Sequence, residues 1–178
     1  MRRIQIVKML ILISAGAIAI GYAHTQTPAT SIATSLEPIA FLTTHEWDAR
    51  LPDSPQGKKK VHARFAWAPN HQAIRISNEM VIDGKASPYI EGLYAWDPQQ
   101  KNIVFWYVDA KGGLTRGTVK VEGSQLVHEF QETESDGKTS EYVAKVTPHG
   151  NEAWDNEIFA RKAEGLTPVV KVRYEIAE

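Results

Sequence analysis

The side chains in this sequence that are equipped for chemistry are few and widely spaced. There is no cysteine, which excludes thiol catalysis, disulfides and Cys-ligated metal. Of the six histidines, His45, His62, His71, His128 and His149 fall on different strand or turn segments. His45-Glu46 opens like the helix of a zinc protease, but no second histidine follows at the required spacing and the local pattern is strand. The spacing implies no metal site and no bound cofactor. No G-x-S-x-G elbow supports a serine nucleophile, and the glycines sit at turns rather than in a phosphate-cradling loop. His128 stands apart. It alternates with Leu126 and Phe130, which places it on an inward strand face, where an imidazole finds a core partner or orients a ligand.

Aromatic residues are the stronger signal. Five Trp and six Tyr are present, and Phe65, Trp67, Tyr94, Trp96, Phe105 and Tyr107 gather on three predicted strands. That is more aromatic surface than closing a small core requires, and it resembles the apolar lining with few polar groups found in small-molecule sites. Glu91 interrupts an apolar strand. Since a buried charge is costly unless paired, an ion pair with Arg75 or Arg116 inside the mouth would make it a polar anchor. The expected ligand-binding set is therefore Phe65, Trp67, Glu91, Tyr94, Trp96, Phe105, Tyr107 and His128, with a small hydrophobic or aromatic ligand. No catalytic residue is assigned. A lyase or isomerase using His128 with Glu91 or Tyr107 as acid and base is the enzymatic alternative. A solid-cored accessory protein acting through its surface is the other.

The elements that must position these residues are strands. Two apolar, aromatic-rich runs, 86–96 and 102–109, flank Asp97-Pro98 and read as a hairpin. Strand patterns also cover 45–51, 59–68, 72–82, 114–122, 125–134, 139–147, 153–161 and 168–176. The breaks carry Asp83-Gly84, Gly112-Gly113, Gly123-Ser124 and Asp136-Gly137, the residues that tight hairpins need. No gap leaves room for a crossover helix. The fold class is all-β: an antiparallel up-and-down barrel of about eight to ten strands, closed to remove its edges. One short N-terminal helix over 35–43, with Ser35 as cap and Pro38 in its first turn, precedes it.

A length of 178 residues fits one domain. Residues 1–23 read as a signal peptide: Arg2, Arg3 and Lys8, then an uncharged apolar run from Met9 to Ile20, then small residues before His24. Residues 24–34 are a flexible leader, and 35–178 the barrel. The expected location is periplasmic or secreted, with no membrane span in the mature chain. A net charge of −1 supplies no field for nucleic acid. Oligomeric state is left open.

Three groups of residues resemble the lipocalin-like (calycin) barrels, especially small exported bacterial domains of uncharacterised function. They are the helix leading to Glu46-Trp47; Gly92-x-Tyr94-x-Trp96-Asp97 with the strand ending Trp106…Asp109…Gly113; and the Gly117…Gly123 strand and hairpin. The resemblance implies a barrel plugged at one end by its helix and binding a small apolar molecule, without naming one. Expression in a secreting host should yield a mature chain beginning at His24, checked by intact mass. A chain retaining Met1 would overturn the signal-peptide assignment.

Overall fold

A computed structural model describes residues 34–55 and 57–178 of the chain. The segments expected to be a signal peptide (1–23) and, apart from Thr34, a leader (24–34) lie outside the described residues. A short 3₁₀ helix, Glu37–Thr43, opens the domain. Ten strands follow: β1 (Trp47–Ser54), β2 (Gly57–Trp67), β3 (Ala73–Ile82), β4 (Lys85–Asp97), β5 (Asn102–Asp109), β6 (Leu114–Glu122), β7 (Gln125–Thr133), β8 (Thr139–His149), β9 (Ala153–Lys162) and β10 (Gly165–Ile176). Each pairs antiparallel with its neighbour in sequence, and β1 pairs with β10, so the sheet closes as an up-and-down barrel. The β1–β10 seam is short, running only from Trp47↔Ile176 to Ala49↔Tyr174.

Turn chemistry produces this order. Asp83 and Gly84 both have positive φ (47° and 79°), the geometry that lets a two-residue turn match the strand twist. Asp97 closes the β4–β5 turn by accepting the amide N–H groups of Gln99 (2.8 Å) and Gln100 (3.1 Å). Asp109 does the same for Lys111 (2.7 Å) and Gly113 (2.9 Å) between β5 and β6. The strands then bury alternate residues, as a closed sheet requires. Val61 and Ala63 on β2, Ile74 and Ile76 on β3, and Leu126 and His128 on β7 all face inward.

The helix stoppers the end at which β1, β3, β5, β7 and β9 begin. Its apolar side inserts Leu36, Ile39 and Leu42 into the core, where they join Trp47. The Trp47 indole is fully buried, and its Nε1–H donates to the Leu42 carbonyl at 2.8 Å. The opposite end carries the β1–β2, β3–β4, β5–β6, β7–β8 and β9–β10 turns.

Two glycines shape the wall. Gly92 pairs with Tyr107, and Gly117 lies between Phe105 and Phe130. A Cβ on Gly92 would overlap the Trp106 carbonyl, and one on Gly117 would overlap that of Glu129. The backbone of the next strand occupies the space, together with the Tyr107 Cβ beside Gly92 and the Phe130 Cβ and Phe105 ring edge beside Gly117, so neither site has room for a side chain. Gly92→Ala should destabilise the barrel by about 1–3 kcal/mol through overpacking, read as a lower urea midpoint. An unchanged midpoint would contradict the close approach.

Candidate functional site

The inward faces leave a cavity of about 240 Å³ between the helix and the open end. This is below the ~300–1,000 Å³ usual for drug-sized ligands, so it suits a molecule of one or two rings. Its lining contains no Lys, Arg, Asp or Glu. Phe65 (β2), Tyr94 (β4), Phe105 and Tyr107 (β5) and His128 (β7) all line it, so five of the eight residues nominated from sequence meet in one space. Trp67 and Trp96 share the inward phase but sit near the stoppered end, outside the cavity lining. Trp67 stacks on His71 at 6.0 Å there. Glu91 faces outward and accepts the Ser77 hydroxyl at 2.7 Å in an exposed position. No ion pair joins it to Arg75 or Arg116. It is on the opposite face from Tyr94 because β4 alternates, and its apolar neighbour Leu93 is outward as well.

At the centre of the polar chemistry is His128, 5% exposed. Its Nε2 and the Tyr94 hydroxyl share a hydrogen bond of 3.2 Å, the hydroxyl donating when the ring proton sits on Nδ1. The imidazole also meets the edges of Tyr94 and Phe105 at 5.9 and 5.4 Å. Burial pushes its pKa down to about 4, and the nearby Leu126 backbone opposes this only in part. The ring is therefore neutral at pH 7. Burial raises the Tyr94 phenol above its ordinary range, and pushes Tyr107 up to about 12, with the Thr115 hydroxyl lowering it in part. The group is a neutral donor–acceptor set, fitted to hold a ligand rather than to exchange protons near pH 7.

Sequence reasoning missed a second polar set. Asn78 on β3 and Asn156 and Trp154 on β9 line the cavity. Asn78 Oδ1, Asn156 Oδ1, Trp154 Nε1 and His128 Nδ1 are buried without a hydrogen bond of good geometry to any described residue. Buried polar groups in native proteins are nearly always satisfied; the Leu126 backbone serves His128 in part, and the other three atoms leave hydrogen-bonding capacity turned toward one cavity. Trp154 is held flat against Tyr174, with ring centroids 3.8 Å apart and planes 2° apart. The signal for Asn78 was its phase: it alternates with Ile74 and Ile76, on the inward side.

The other histidines disperse. His62 bonds Asp48 (2.8 Å) and Glu46 (3.1 Å) on the outer wall, and His149 bonds Asp155 (2.9 Å). Among the described residues no three His, Asp or Glu side chains are grouped to hold a metal.

No protein-family model matches the sequence, and no curated protein matches it. Among solved structures the chain is similar to the crystal structure of Rv2717c from M. tuberculosis, with a TM-score of 0.53 and 10% identity over 81% of this chain and 98% of that one. At that identity the likeness is one of fold.

His128 gives this site a measurable signature. Its folded-state value of about 4 lies below the ordinary 6.5, so the unfolded chain takes up a proton first as pH falls. Stability should drop between about pH 6.5 and 4, by roughly 3 kcal/mol from this residue. His128→Leu will be less stable at pH 7, because Tyr94 loses its partner, but its loss on acidification should be smaller by that amount in urea melts. Parallel pH profiles would refute a buried neutral imidazole.

Proposed function

We propose that the barrel binds a small hydrophobic or aromatic molecule in its interior, after export to the periplasm or medium. The supporting observation is the cavity itself: an aromatic lining without a single ionised side chain, carrying three buried polar atoms, Asn78 Oδ1, Asn156 Oδ1 and Trp154 Nε1, that lack partners among the described residues. Binding would exchange water contact of the ligand's ring for contact with Phe65, Phe105 and Trp154. A phenyl ring buries about 150–200 Å², which at ~25 cal/mol per Å² supplies about 4–5 kcal/mol. That corresponds to a Kd near the millimolar range, so tighter binding depends on hydrogen bonds to Asn78, Asn156, Trp154 or His128. Those contacts fix orientation and reject ligands that cannot satisfy them.

The residues favour a binding role over turnover. His128 is coupled to Tyr94, not to Glu91 or Tyr107, and both members of the pair keep their protons in place at neutral pH. The reading makes a direct prediction. Isothermal titration with 2-phenylethanol should show saturable binding with a negative heat-capacity change, the mark of apolar burial. Ala144→Phe, which fills the cavity beside His128, should abolish that binding while the protein still unfolds cooperatively. Undiminished binding in this variant would place the ligand elsewhere.

A further inference from the structure

The open end of the barrel carries charge that the interior lacks. Glu132 on β7 continues the inward phase of Leu126, His128 and Phe130, and its cross-strand neighbours are Thr115 on β6 and Ser140 on β8. Tyr107 pairs with Thr115 from the other side, so Tyr107, Thr115, Glu132 and Ser140 form one inward row below the turns. Glu132 is half-buried. It makes no ion pair or side-chain hydrogen bond with any described residue. The groups that act on it electrostatically are Asp109 and Glu134, both acids. Its carboxyl is raised above the usual range, by burial first and then by these neighbours. The Tyr89 and Tyr107 phenols, which line the cavity, are raised by burial and also feel Glu132 and Asp109. Asp109 is committed to its own turn through Lys111 and Gly113. Glu132 is the carboxylate left with acceptor capacity toward the cavity. Lys59 shares the inward phase of β2, but it stands across the barrel, five strands away.

A second observation points to an occupant. Asn78 is nine-tenths buried, at 9% exposed, and lines the same cavity, and its Oδ1 has no described partner. It lies beside Ile90 at the β3–β4 irregularity, next to Tyr89. The mouth thus offers an acceptor oxygen, a carboxylate and two ring faces, and no cation that would neutralise them from within the cavity lining.

We propose that this mouth is a cation-accepting collar, made by Glu132 with the rings of Tyr89 and Tyr107, and that the ligand is an amphiphile with an apolar body of one or two rings and a protonated amine. The apolar body enters the cavity assigned above, on which this inference rests. The ammonium group stays at the half-hydrated rim, paired with Glu132 and facing tyrosine π-systems, a geometry that favours cations. An anionic head group would meet Glu132 and Asp109 with no lining cation to offset them, Glu134 being paired with Lys138 at 3.7 Å, which is the like-charge rejection by which sites discriminate.

Three probes with the same ring test it at pH 7: phenethylamine, 2-phenylethanol and phenylacetate, each titrated calorimetrically into the full chain. Phenethylamine should bind at least ten-fold more tightly than the alcohol, and phenylacetate more weakly than either. Glu132→Gln should reduce phenethylamine to the level of the alcohol and leave the alcohol's affinity unchanged. The wild-type ranking stands whether or not that variant folds well, and Glu132→Asp should restore part of the preference. Alcohol binding equal to or tighter than amine binding would overturn the collar while leaving the interior site intact, as would an amine preference that survives Glu132→Gln. Failure of all three probes to bind would overturn the interior site as well.

Discussion

One buried hydrogen bond determines how this barrel is closed. Trp47 Nε1–H donates to the carbonyl of Leu42, the penultimate residue of the helix that leads into β1. The indole is fully enclosed, so the bond is sheltered from water and its loss would strand both a donor and an acceptor. It ties the helix to the first strand at the point where the barrel would otherwise be open. With Leu36, Ile39 and Leu42 set into the core beneath it, one end of the cylinder is shut. The cavity therefore has a roof of helix and indole at one end and a rim of turns at the other.

The wall decides how much space that leaves. Ten strands can enclose a generous lumen, yet the space left is about 240 Å³. At Gly92 and Gly117 the neighbouring backbones come close, with Tyr107, Phe105 and Phe130 packed beside them. The stacked Trp154–Tyr174 pair thickens the opposite side. Aromatic rings thus serve twice, as packing that holds the closed shape and as the lining of what remains. The imidazole of His128, neutral because it is enclosed by them, belongs to both roles.

Much of the architecture was legible in the residues because hairpin turns announce themselves. Asp-Gly and Gly-Gly pairs at regular intervals, with no stretch long enough for a crossover, specify an antiparallel meander, and each of the ten strands lies within a few residues of its expected place. Phase was legible where one face is polar, as in β2 and β7. It was not legible in β4 and β5, where outward Leu93, Val104 and exposed Trp106 are as apolar as the inward residues. Glu91 was misplaced for that reason. The opposite error hid Asn78, Asn156 and Glu132: a polar residue in a strand suggests solvent, and only its alternation with buried neighbours says otherwise. No local pattern brings Trp154 against Tyr174, since that contact depends on the register of β9 with β10.

The short seam between the first and last strands has a bearing on how the chain acquires its shape. Every other pairing joins strands adjacent in sequence, so each can zip from its own turn soon after the flanking residues exist. Joining Trp47 to Ile176 must await nearly the whole domain and bring its two extremities together, the most non-local step available and the slowest kind to form. Until that moment a nascent curled sheet exposes two raw margins, and an aborted closure would leave them free to recruit another molecule's strand.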